Sequence, residues 1–310
     1  MAQEYDADIG RALGWDLAYY GWTPKEDAPI DVIEGHIAGK SRFGTTTKRP
    51  TRFERKWLQL RQNALRRGRV VHEAVTPKYI EFIDYPTCPV TLVELTHGTG
   101  EDTDWSVDRV NNDAAYADGN LIVMSTRANK AKGNKSFLEL SGLVADGESL
   151  HGLSDRETLR LRCLMEGPCG IGEIGERRNT LWTRICRGST RTNYHNLQHI
   201  LLMATNIDSA SRNVVFRKLV AVAHADSRQS ANLLQVAFEK LKIRLKTAEY
   251  PYDACGDVDF QSLLKRWFET IPSSRKTEFA AELESLTGAR LISNETVRTW
   301  SLDTLGRYSV

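Results

Sequence analysis

Asp108 and Asn129 offer the chemistry that stands out in this sequence. A carboxylate oxygen and an amide oxygen turned toward one point would hold a hard divalent cation and leave positions for water and phosphate. Read singly, the two residues are an Asx turn and a helix-cap neighbour; their surroundings decide between the readings. A second pair, His195 and His199, is spaced i, i+4 and would share one helix face. That spacing can bind zinc. No glutamate stands between them in the HExxH sense and only distant His224 could be a third ligand, so a packed pair at a helix interface is expected. The five cysteines (Cys88, Cys163, Cys169, Cys186 and Cys255) form no CxxC pair, which argues against a disulfide scaffold or a thiolate-rich zinc site and fits a reducing cytoplasm.

The elements that must position Asp108 and Asn129 run from Cys88 to Asn134. CPVTLVEL reads as an apolar strand, HGTGEDTD as a glycine-rich turn and WSVDRV as a second short strand. NNDAAYADGN is a loop of turn formers, LIVMS a short apolar segment, and TRANKAK the start of a helix. The aspartate and the asparagine meet only if that helix folds back on the hairpin.

These residues resemble the HNH, or ββα-metal (His-Me finger), endonucleases, and most closely a phage and bacterial branch with the pattern CPxTG…SxDRxxxxxGYxxxNxxxxSxRANxxK. The pattern is met by Cys88-Pro89-Val90-Thr91, Ser106-Val107-Asp108-Arg109, Tyr116, Asn120, Ser125, Arg127-Ala128-Asn129 and Lys132. The resemblance covers about residues 55–140. It implies that Asp108 and Asn129 are the metal ligands for Mg²⁺ or Mn²⁺. It implies that Asn120 bonds backbone to shape the loop, and that Arg127, Lys130 and Lys132 meet substrate phosphate. The family's usual histidine after the first aspartate is replaced here by Arg109. Arginine stays protonated near neutrality and is a poor general base, but it can clamp a phosphate or stabilise developing charge. His97, in the hairpin turn, is then the first candidate for proton transfer, with His72 and Tyr116 as alternatives, or a metal-bound water without a side-chain base. Cys88 lacks partners at zinc-knuckle spacing and is expected to be a small buried hydrophobe.

A nearly balanced charge, 42 Lys and Arg against 40 Asp and Glu, conceals strong segregation. Residues 1–38 carry −6, residues 39–70 carry +10, residues 71–150 carry −7 and residues 151–310 carry +5. The basic stretch reads as a helix capped by Thr51, with Phe53, Trp57, Leu60 and Ala64 on one face and Gly68 beyond its end. Arg61, Arg66 and Arg67 on that helix are expected to contact nucleic-acid phosphates. The acidic segment before it holds Trp15, Tyr19, Tyr20 and Trp22, too aromatic for a disordered tail, and could fold over the basic face. After residue 150 the pattern is helical: Asp155–Glu166, Tyr194–Asn206, Ser211–Ala225, Gln229–Leu245, Phe260–Ile271 and Lys276–Leu286. No run of about 18 apolar residues and no secretory h-region is visible, so no membrane association is expected.

The expected fold is α+β, a small ββα-metal nuclease module within a mainly helical protein. Three regions follow: residues 1–49, acidic, aromatic and with a regulatory role in view; residues 50–150, the HNH-like nuclease; residues 151–310, a helical C-terminal domain that could bind protein partners. The expected function is a metal-dependent DNA endonuclease that nicks duplex DNA, in a setting such as phage defence. The alternatives are a non-catalytic nucleic-acid binder that keeps the fold, or a subunit of a larger complex.

Overall fold

A computed structural model describes residues 5–45, 47–169, 178–225, 227–287 and 294–309. The fold is of the mixed α+β class and mainly helical, with one two-stranded antiparallel sheet among the described residues. No helix among them is long and apolar enough to cross a membrane. The chain divides into two units, Met1–Tyr85 with Val107–Val123 and Ile292–Val310, and Pro86–Ser106 with Met124–Leu291. The division crosses both strands of the sheet, β1 (Trp105–Arg109) and β2 (Leu121–Ser125).

The first unit opens with α1 (Ala7–Tyr19), α2 (Ile30–Phe43), α3 (Arg52–Arg66) and α4 (Pro77–Ile83). α1 and α2 approach through glycine: a Cβ on Gly14 would lie 2.0 Å from the Val32 carbonyl oxygen, and one on Gly35 2.1 Å from that of Arg11. Only glycine permits backbones this close. Leu13 and Leu17 of α1, Val32 of α2 and Leu58 of α3 then share one buried cluster. α3 begins with a capping box, in which Thr51 and Glu54 satisfy each other's backbone N–H groups. The acidic segment is thus part of the folded unit. It also takes up part of the basic charge: Asp16 pairs with Arg61 at 2.5 Å and Asp27 with Arg66 at 3.6 Å. Residues from the end of the chain, which sequence reasoning grouped with the C-terminal helices, cluster with this unit. Val70 donates its backbone N–H to the Gly306 carbonyl, and buried Trp300 donates its indole N–H to the Asp118 carbonyl.

The second unit contains α5 (Thr126–Lys132), α6 (Phe137–Ala145), α7 (Asp155–Cys169), α8 (Asn193–Met203), α9 (Ser209–His224), α10 (Arg228–Leu245), α11 (Val258–Glu269) and α12 (Lys276–Thr287). The helices read from the sequence after residue 150 correspond to α7–α12. Leu197, Leu219, Leu234, Phe238, Leu264 and Trp267 belong to one core shared by α8–α12. The expected strand CPVTLVEL is a turn instead. Leu92 returns its N–H to the Cys88 carbonyl with φ at +60°, and only an isolated bridge, Thr87 to Glu94, remains of the pairing. An apolar run does not by itself distinguish a strand from a buried turn.

Candidate active site

The expected site residues fall in both units. In the first, the loop between β1 and β2 is held from inside. Asn120 is fully buried; its side-chain amide donates to the Asn111 and Ala115 carbonyls at 3.0 and 2.9 Å, and its oxygen accepts from the Asn111 N–H at 2.8 Å. Three bonds from one side chain fix the loop, the role the resemblance implies for this position. Arg109 does similar work. It is 8% exposed, its Nη1 donates to the Asn112 and Ala114 carbonyls at 2.9 and 2.8 Å, and its guanidinium lies 4.9 Å from the Tyr116 ring. Arg109, expected to clamp phosphate, is therefore turned into the loop and away from solvent, because two buried carbonyls need its donors. Tyr116 is buried beneath it and belongs to the same packing. Asp108, between Arg109 and Val107, is half-buried on β1.

In the second unit, Ser125 ends β2 and caps α5, accepting the Ala128 N–H. Cys88 explains why the turn at its own position lies here. Its buried sulfur accepts the N–H of Thr91 at 3.4 Å and of Ser125 at 3.2 Å, so a lone thiol clasps the start of α5. Sequence reasoning saw only a buried hydrophobe; the CPVT turn was the available signal. From α5, Asn129 donates its amide Nδ2 to Ser106 Oγ at 2.7 Å. Ser106 and Asp108 are two residues apart on β1 and so leave the strand on one face. The hydrogen bond ties the α5 amide to Ser106 within the second unit, and because Nδ2 is the bonded atom, the oxygen Oδ1 is the one left for a ligand role.

The other expected residues sit differently. His97 is exposed, and its ring packs on Trp105 with centroids 5.2 Å apart. Trp105 leaves β1 on the face opposite Ser106, the residue to which Asn129 is bonded. Arg127 pairs with Glu157 and donates to the Gly152 carbonyl at 3.2 Å. Lys132 is fully buried, which removes it from contact with a substrate. Lys130 is the exposed cation of α5, held at 2.9 Å by Asp102 in the turn before β1. On α3, Arg61 is engaged by Asp16 and lies flat over Trp57, whereas Arg66 and Arg67 are exposed.

The turn that carries His97 is organised by Asp104. Its carboxylate accepts from the Thr99 and Gly100 N–H groups at 3.1 and 2.8 Å and from the Thr96 and Thr99 hydroxyls at 2.8 and 2.9 Å. These donors, the Thr99 N–H foremost, hold its pKa well below the usual carboxylate range.

The histidine pair of α8 lies among side chains and not around a metal set. His195 is buried with Nε2 3.9 Å from Cys163 Sγ and 3.8 Å from Glu166, while His199 stacks on Tyr252 and is pushed down to about 4 by burial and then by Arg191. Among the described residues no three His, Cys, Asp or Glu side chains are placed to hold a metal ion. A set made of one carboxylate and one amide falls outside that description. Its hard oxygen donors suit Mg²⁺ or Mn²⁺, ions that commonly keep several waters and bind through one or two protein ligands. Comparison with protein-family models, with characterised proteins and with solved structures returned no match.

Proposed function

We propose that this chain is a metal-dependent endonuclease that nicks DNA, with Asp108 and Asn129 as the protein ligands of a Mg²⁺ or Mn²⁺ ion. The observation that carries the reading is the bond from Asn129 Nδ2 to Ser106 Oγ. It ties the α5 amide to Ser106, which precedes Asp108 by two residues in the sequence. When bound, the cation supplies Lewis acidity to a phosphodiester and lowers the pKa of water.

The chain's own residues do the rest. Asn120 and Arg109 keep the loop after β1 in one shape, so Asp108 is presented from a fixed strand end. Lys130, exposed on α5, attracts the phosphate backbone. With Arg109 committed to the loop and His97 packed on Trp105, no side chain is assigned as general base; the proton leaves through solvent. One such centre cuts one strand, and a double-strand break needs two binding events or two copies.

Arg109 at the histidine position favours a second reading, a nucleic-acid binder without catalysis. Incubation of supercoiled plasmid with the full chain separates the two. The nuclease reading expects nicked circles with Mg²⁺ or Mn²⁺ and none with EDTA; a binder shifts the plasmid in a gel and leaves it intact in both.

A further inference from the structure

The first unit contains a cavity of about 270 Å³ whose walls come from three distant parts of the sequence: α1, α3 and residues 71–75, with Tyr308 closing it. Its floor is apolar, with Leu13, Leu65 and Val75. Trp57 stands in the wall with its indole N–H bonded to the Val75 carbonyl at 2.7 Å, so the ring is fixed. Arg61 lies 4.3 Å from that ring and is neutralised by Asp16, which makes the guanidinium a flat, pinned surface and not a free charge. Flat walls of this kind stack planar rings.

Two neighbouring polar residues complete the wall, His72 and Glu73. His72 Nδ1 accepts the Ala74 N–H at 3.2 Å, so the neutral ring carries its proton on Nε2 and presents a donor. Glu73 is exposed and contributes a carboxylate, an acceptor at two oxygens. A donor and an acceptor side by side, beside aromatic and apolar walls, are the complement of a nucleobase edge. The volume lies just below the range of about 300–1,000 Å³ common for drug-sized ligands, which suits one base with its sugar and excludes a dinucleotide.

We infer that this cavity is a binding site for a single purine base, stacked on the surface that Trp57 and Arg61 form together by packing on each other, and read at its edge by His72 and Glu73. A purine reaches it as a free nucleoside or as an unstacked base of a strand. Because α1 and α3 both line the cavity, its occupant links the acidic segment to the basic helix. The site shares no residue with the proposed cation ligands and needs no metal.

Isothermal titration of the full chain with guanosine and with adenosine, in EDTA, tests this apart from any nuclease activity. Saturable binding of at least one nucleoside is expected. Ala12, exposed at the cavity wall, provides the plug: Ala12→Trp should abolish binding while leaving the melting temperature unchanged. Should that variant fold poorly, Glu73→Gln, a change on the surface, should weaken binding about tenfold, the worth of one charge-assisted hydrogen bond. Titration with a purine-containing and an all-pyrimidine single strand of equal length separates the two sources, since only a base reached within a strand gives a purine preference there. No heat with either nucleoside overturns the inference. So does binding that is unchanged in both variants.

Discussion

Two loops flank β1, and they are held in opposite ways. The turn Thr96–Asp104 is exposed and is closed from its own surface by one carboxylate, Asp104, which collects two N–H groups and two hydroxyls. The loop from Val110 to Asn120 is buried over Ala114, Ala115 and Ala117, and is closed from the core by a cation and an amide, Arg109 and Asn120. An exposed turn can rely on water for its unmet groups. A buried loop cannot, so every carbonyl must find a protein donor. The difference shows why an arginine placed where chemistry is expected is consumed by architecture.

The comparison breaks first at Asn120. Asn120→Ala removes the three bonds of a fully buried side chain and should cost about 3 kcal/mol in a denaturant melt; a loss near zero would mean that the loop closes without it. Arg109→Met keeps the length but removes the side-chain donor to the buried Ala114 carbonyl and leaves that of Asn112 with Arg69 at 3.4 Å, and about 2 kcal/mol is expected from the same melt. Full stability with lost DNA affinity would return Arg109 to phosphate contact.

A smaller effect should come from pH. Burial alone would raise the Glu54 carboxyl, but the bonds from Lys48, the Thr51 N–H and Tyr20 outweigh it and hold the group at about 2. A carboxyl depressed in the folded state contributes stability above its unfolded value of 4.5 and loses it as pH falls toward 2. The loss should reach about 1–2 kcal/mol over that window, and Glu54→Gln should remove the pH dependence along with the stability. The smallest effect should be at the exposed turn. Asp104→Asn should leave the global melt nearly unchanged while speeding amide exchange at Thr99 and Gly100, and a global loss as large as that of Asn120→Ala would erase the contrast between the loops.

Local pattern made part of this legible. Period-two and turn chemistry located β1, its loop, β2 and α5, and capping residues such as Thr51 and Ser125 marked helix starts. What escaped depends on contacts between distant residues. The segregation of −6 and +10 suggested an acidic segment that folds over the basic face, but not that Asp16 and Asp27 are the acids that meet Arg61 and Arg66. The close approach of α1 and α2 rests on glycines whose spacing is visible but whose partner is not. Closeness in sequence suggested His97 as a base, and it gave no sign that the ring packs on Trp105. Lys132 continued the motif in sequence and proved to be interior.

The central claim is that Asp108 and Asn129 hold the cation of a nuclease. It is tested most directly by plasmid nicking with Mg²⁺ using Asp108→Ala and Asn129→Ala beside the unaltered chain, each checked for an unchanged circular dichroism spectrum and DNA affinity. Both variants should fail to nick while they still fold and bind. Full activity in Asp108→Ala would contradict the assignment.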